Sequence, residues 1–198
     1  MLRTYIIKAF VMSLLFVGPS IAYGLNIKIM NPTLNNLQPE LPFDSLLNDI
    51  YSQVKGDWDP PVKLYSTRNF EYIYGKSSKY YVDIKRVLAN PLYSENKKMI
   101  CIYASQKLDF NKYLEFSNYC LKLFEKGLLT EDVFFNVIFP YEWKTNIRFI
   151  EKYKDKRVRC FLNAVLMVDN VSASNKTAIK EVISGQTLRR REKMLREM

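Results

Sequence analysis

Histidine is absent from this chain of 198 residues, and that absence decides what the remaining polar residues could do. Histidine is the commonest general base near neutral pH and the commonest transition-metal ligand. Without it no Ser-His-Asp or Cys-His nucleophilic arrangement can be assembled, and a His-bearing zinc site is excluded. Three scattered cysteines, Cys101, Cys120 and Cys160, do not make a Cys-only zinc site. Paired carboxylates are then the acid–base device left. Asp57 and Asp59 flank Trp58, Glu131 adjoins Asp132, and Glu142 precedes Trp143. The first pair reads better as turn formers ahead of Pro60, and the second as first-turn charges facing a helix dipole. No glycine-rich phosphate loop occurs. These residues point to a protein that works without catalysis, metal or cofactor.

Recognition chemistry is better represented. Between Lys63 and Arg86 the chain interleaves basic and aromatic residues, among them Arg68, Tyr72, Tyr74, Tyr80 and Tyr81. Tyrosine and arginine are enriched in protein interfaces because they bury area at low entropic cost and still form hydrogen bonds. Aromatic platforms also bind sugars or single strands. A second cluster, Arg189, Arg190 and Arg191, lies in the C-terminal tail. The formal net charge of +10 favours an acidic partner: a protein, an anionic membrane face or nucleic acid.

The first 24 residues bear on which of these is available. Arg3 and Lys8 precede an apolar run from Ala9 to Val17 that only Ser13 interrupts. Gly18 and Pro19 break it, and small residues follow around Ala22 and Gly24. This is the layout of a secretory signal peptide, with an uncleaved inner-membrane anchor as the alternative. The apolar run is shorter than the roughly 20 residues a bilayer crossing needs. The expected address is a bacterial periplasm, which removes nucleic acid from the partners and limits membrane contact to the leader or the basic tail. In an exported chain, three cysteines leave at least one thiol unpaired. Each falls on the apolar side of an expected helix, so buried free thiols are expected. A Cys101–Cys120 bridge would be about a turn out of register for a disulfide.

Apolar residues make up 48% of the chain and there are only 6 glycines, which argues for helices over a turn-rich β fold. Residues 25–42 read as an N-terminal arm, 43–185 as one helical domain and 186–198 as a basic tail. Helical spacing runs through Phe43 to Val54, from Ser78 to Asn90, and from Ser94. It continues from Asp109 to Gly127, from Thr130 to Pro140, and from Thr145 or Asn146 to Tyr153. Two more stretches follow, from Asp155 and from Ser172 or Ser174 to Gly185. Residues 62–75 satisfy two periods. Val62 and Leu64 alternate, as do Phe70, Tyr72 and Tyr74, which suits a short irregular or β-hairpin excursion near 57–75; Phe70, Ile73 and Tyr74 equally share one helical face. Segments 86–102 and 164–182 share a layout of helix end, Asn-containing turn, Ser, Asn-Lys and apolar helix, at an offset suited to two helix pairs.

The run Asp155-Lys156-Arg157-Val158-Arg159 resembles the D-x-x-V-R start of the inner helix in HEAT-type α-solenoid repeats. The resemblance covers residues 155–166 and implies antiparallel hairpins in a right-handed HEAT-like stack, and no catalytic residue. In size, leader and helical content the chain also resembles periplasmic immunity proteins that neutralise bacterial toxins. That resemblance implies a non-catalytic protein occluding the active site of an acidic secreted toxin, with Arg68, Tyr72, Tyr74, Tyr80, Tyr81, Arg189, Arg190 and Arg191 as partner-binding residues. The alternatives are a component of an envelope secretion apparatus and an envelope protein binding anionic glycan or lipid.

Overall fold

Phe43, Leu46, Leu47, Ile50 and Val54 recur at three- and four-residue spacing and all are buried, which fixes Phe43–Val54 as the first helix, α1. Pro42, not Asp44 or Ser45, occupies its N-cap position. The computed structural model describes residues 41–55, 60–140, 151–186, 189, 190 and 193. The leader at 1–24, the arm up to residue 40, the Asp57-Trp58-Asp59 turn, Glu142, Trp143, the start at Thr145 or Asn146, and Arg191 lie outside the described residues.

The elements after α1 are α2 (Pro60–Tyr65), α3 (Arg68–Gly75), α4 (Tyr81–Ala89), α5 (Glu95–Ser105), α6 (Phe110–Glu125) and α7 (Glu131–Ile138). A 3-10 helix (Glu151–Lys154), α8 (Lys156–Leu166) and α9 (Ala173–Ile183) complete the series. The fold is all-α among the described residues. The hairpin reading of residues 57–75 is therefore corrected: from Pro60 the segment is two short helices. Phe70 and Ile73 are fully buried one turn apart, and their burial selects the helical period over the alternating one.

Caps read from sequence hold at Asp109, Asp155 and Ser172, whose side chains accept from the backbone N–H of Lys112, Arg157 and Asn175. Ser94 and Thr130 stand at N-caps without a side-chain bond. Ser78 caps nothing, since α4 begins two residues beyond Lys79 and Tyr80 takes the N-cap position. At the other end of α6, Gly127 has φ +70°. Its N–H donates to the Phe124 carbonyl and that of Leu128 to Leu123, both at 2.9 Å. This is the paired bonding of a Schellman ending.

The helices pack with their neighbours and with next-but-one elements. α1 meets α3 and α5, α3 meets α5, and α5 meets α7; across from them α4 meets α6 and α6 meets α8. The adjacent pairs α4/α5, α6/α7 and α8/α9 are in contact as well. The result is a set of packed helical hairpins. The two segments of similar layout, 86–102 and 164–182, both form the inner turn of such a hairpin, α4/α5 and α8/α9.

The centre of the fold is α5, which contacts α1, α3, α4 and α7. Every residue from Lys98 to Ser105 is buried. A helix covered all round has no solvent face on which to leave a charge. The Lys98 ammonium accordingly donates at 2.7 Å to the Leu128 carbonyl, at the close of α6, and burial lowers its pKa from the ordinary value. Cys101 and Cys120 are buried free thiols, and burial raises the pKa of both. Cys160 is exposed, which corrects its expected place on a core face. On α8 the core stripe is Val158, Phe161, Leu162 and Val165, and position 160 lies outside it.

Tyrosine hydroxyls clip the helices together. Tyr119 donates to the Lys85 carbonyl at 3.1 Å, Tyr113 to Val137 at 3.0 Å, Tyr153 to Ile138 at 3.1 Å, and Tyr103 pairs with Asn136 at 3.2 Å. Each ring lies in or against the core while its hydroxyl satisfies a polar group on another element. Glu131 does the same for α9: its Oε1 accepts the Ser172 backbone N–H at 2.8 Å and the Asn175 amide at 2.7 Å. Arg86 ties α4 to the start of α1 by bonding both Asp44 oxygens, at 3.0 and 3.1 Å, and Tyr93 joins them through Asp44 at 2.8 Å.

Two outcomes test this packing. Ile102→Ala, in the middle of α5, should destabilise the domain by about 3 kcal/mol in urea denaturation, while Leu92→Ala, at 90% exposure, should cost under about 0.5. The second concerns Asp44. Partial burial raises its pKa, but the hydrogen bonds from Tyr93 and Arg86 outweigh that, so the folded-state pKa lies below the ordinary 3.8. Its contribution is present above the unfolded pKa and disappears as pH falls through the folded one. Asp44→Asn should therefore flatten the loss of stability between about pH 5 and pH 3. An unchanged acid profile for this variant would remove the role given to the Asp44–Arg86 pair.

Candidate functional site

Two connections, residues 76–80 between α3 and α4 and residues 106–109 between α5 and α6, lie at one end of the domain, α3 and α5 being in contact. Lys107 from the second reaches back over the Tyr74 ring of α3, 5.6 Å from its centroid. The start of α8 joins the same end: Arg157 donates to Asn111 on α6 at 2.8 Å. α9 packs on α8 and also on the 3-10 helix.

The basic residues gathered here share one arrangement, a cation over an aromatic ring. Lys76 lies 4.2 Å from the Tyr72 centroid and Lys79 5.7 Å from that of Tyr80. Lys85 and Lys112 lie 5.0 and 4.9 Å from the Tyr81 centroid, and Lys85 is also 4.8 Å from that of Tyr119. Lys152 and Arg157 flank Phe110 at 4.5 and 5.0 Å. Such contacts hold an ammonium group through the ring quadrupole, and the apolar stem covers the ring below.

The electrostatic consequence differs from that of a salt bridge. An ion pair fixes a cation by cancelling its charge; an aromatic ring fixes it and leaves the charge in place. Arginine follows the first mode here. Arg86 pairs with Asp44 and Asp83, Arg157 with Asp155 and Arg190 with Glu181. Lys85, Lys107 and Lys112 follow the second, with no carboxylate ion pair among the described residues. At Lys85, Lys107 and Lys112 this end of the domain therefore presents ordered positive charge that no ion-paired carboxylate cancels among the described residues.

The sequence-read site residues divide across this geometry. Tyr80 and Tyr81 are core residues, 5% and 8% exposed. The Tyr80 ring packs on Phe43 at 5.3 Å. Tyr81 donates to Glu115 at 3.0 Å, and burial, followed by that carboxylate, raises its pKa. Tyr74 is half-buried against Tyr65 and Phe70, at 5.4 and 5.8 Å. Tyr72 is half-buried, and its hydroxyl accepts from Lys76 at 2.9 Å. Arg68 is exposed at the opposite end of α3. Arg189 donates to the Ser184 carbonyl at 3.4 Å, and Arg190 reaches Glu181 at 3.7 Å. The structure brings Tyr72, Tyr74, Tyr80 and Tyr81 to one end and leaves Arg68 apart. The residues missed from sequence include Lys107 and Lys112, which meet their rings from more than 30 positions away in the chain. Only their positive charge, without a partner, was visible beforehand.

No family model, curated protein or solved structure matches the chain. Among the described residues no group of His, Cys, Asp and Glu could hold a metal ion, and no helix is long and apolar enough to cross a membrane.

The division between ring and charge is testable by stability. Tyr81→Ala should cost about 3 kcal/mol or more, as expected for a truncated core aromatic, while Arg68→Ala should stay within about 0.5. Chemical denaturation of the two variants checks both. Equal, small effects would place Tyr81 on the surface.

Proposed function

We propose that this is an exported, non-catalytic binding protein of the immunity type, which occludes the active site of an acidic secreted toxin with its basic end. The observation that carries the reading is Lys85, Lys107 and Lys112, each held over a tyrosine ring with no carboxylate ion pair among the described residues. Un-neutralised charge steers an oppositely charged partner into encounter and raises the association rate, an effect that salt screens. Charge already ordered before contact leaves less side-chain entropy to lose on binding. Rigid packed hairpins behind it supply a surface that changes little as it docks. Occlusion needs no more than this: a fixed basic face laid over an acidic cleft, with the polar rim excluding substrate.

The same geometry weighs against a glycan reader. A sugar stacks on an open aromatic face, and here the faces carry lysines while the Tyr80 and Tyr81 rings are buried.

Lys76→Glu/Lys79→Glu/Lys107→Glu in one chain tests the proposal. The variant should keep its helical circular dichroism and thermal midpoint. It should lose the stoichiometric complex that the unaltered protein forms with a secreted enzyme, and inhibition of that enzyme should fall with it. Raising salt on the unaltered protein should slow association more than it speeds dissociation. A complex indifferent to the charge reversal, or inhibition that persists without it, would end the occlusion reading.

A further inference from the structure

Within the basic end, one point gathers more than the rest. Lys85 from α4 and Lys112 from α6 both place their ammonium groups within 5.0 Å of the Tyr81 ring centroid. Lys85 is held a second time, 4.8 Å from the Tyr119 centroid, and the Tyr119 hydroxyl is itself bonded to the Lys85 carbonyl. The Tyr81 hydroxyl is occupied by Glu115 at 3.0 Å. Glu115 is spent on that hydroxyl and forms an ion pair with neither lysine among the described residues. Two cations from different helices are thus pinned beside one buried ring, with one spectator carboxylate next to them.

We propose that the Tyr81 ring with Lys85 and Lys112 over it is the anchoring subsite of the contact, and that it takes clustered carboxylates of a protein partner. This deepens the reading of the basic end and rests on it. The ligand class follows from three features. Stacking ligands are disfavoured because the ring is buried and flanked by lysine stems. A fluid lipid surface is disfavoured because its head groups rearrange around any cation and gain nothing from cations held at fixed positions. Val82 is the one exposed large apolar side chain near this point among the described residues, too little for insertion into a bilayer. Fixed cations discriminate in favour of fixed anions, and acidic side chains on a folded or extended polypeptide supply them.

Glu115 makes the proposal testable in both directions. Gln at position 115 can still accept the Tyr81 hydroxyl while removing the negative charge, so Glu115→Gln should tighten binding of an acidic probe. Lys85→Met/Lys112→Met keeps apolar stems over the rings and removes both charges, so it should weaken binding about tenfold, the sum of two surface charge interactions. The probe is a hexaglutamate peptide, titrated at low salt into the full-length protein and followed by backbone amide NMR shifts, with a phosphatidylglycerol vesicle pull-down run beside it. Saturable shifts centred on Lys85, Lys112 and their helix neighbours, with opposite effects of the two variants, support the subsite. If both variants bind the peptide like the unaltered protein while Lys76→Glu/Lys79→Glu/Lys107→Glu does not, the Tyr81 subsite is wrong and the basic-end reading stands. If none of the three alters peptide binding, both fall. Retention on vesicles with no saturable peptide binding overturns the partner class. Thermal midpoints of all variants identify any that fail to fold, and Glu115→Gln, the mildest change, remains decisive in that case.

Discussion

The burial of α5 on every side is the constraint on which the rest of this fold depends. A helix with a solvent face can tolerate polar residues there; α5 cannot, and from Lys98 to Ser105 each side chain has had to find a place inside. Ile100, Ile102 and Ala104 fill space against α1, α3, α4 and α7. Ser105 donates to the carbonyl of Ile102 at 2.6 Å, and Lys98 spends its charge on the Leu128 carbonyl. A buried ammonium without such an acceptor would be costly. The carbonyl is available there because Gly127 turns the chain left-handed and presents residue 128 to α5. One glycine, one lysine and one central helix are thereby interdependent.

The tyrosines answer a related problem. Short packed helices bring many backbone carbonyls and helix ends into a dry interior, where each needs a donor. A tyrosine fills core volume with its ring and reaches a polar group on another element with its hydroxyl, as Tyr81, Tyr103, Tyr113, Tyr119 and Tyr153 do. The rings near the surface then serve a second purpose by fixing lysines. The aromatic content that reads in sequence as an interface is for the most part internal framework, and cations rest upon its outer rings.

How much of this was legible follows from the range of each signal. The long helices α6, α8 and α9 were written in local pattern: an apolar stripe of helical period between Asp109 and Gly127, Asp155 and Val165, Ser172 and Gly185. The full burial of α5 was not, because periodicity reports one face and Lys98 and Ser105 disguise the others as exposed. Residues 62–75 met both periods, and only the burial of Phe70 and Ile73 chose between them. Cys160 was expected on the apolar side of its helix, but the core stripe is Val158, Phe161, Leu162 and Val165, and position 160 lies beside it and is exposed. The Asp-x-x-Val-Arg likeness at 155–159 located a true cap, yet the arginine that reaches a neighbouring helix is Arg157, not the motif's Arg159. For the site, the interleaved basic and aromatic residues of the Lys63–Arg86 stretch were visible in sequence, but Lys107 and Lys112 were not, since a pairing such as Tyr74 with Lys107 exists only once the helices are packed.

The position of α5 in the chain sets an order of events during synthesis. Its walls come from both directions: α1, α3 and α4 precede it, and α7 follows. A nascent polypeptide that has emerged only as far as Ser105 holds its central helix with one side open. Collapse of the amino-terminal half alone would leave that side as a sticky edge, and closure must wait for residues 131–138. Until then the half-made core is the natural place for a holdase to bind, and for self-association when none is present.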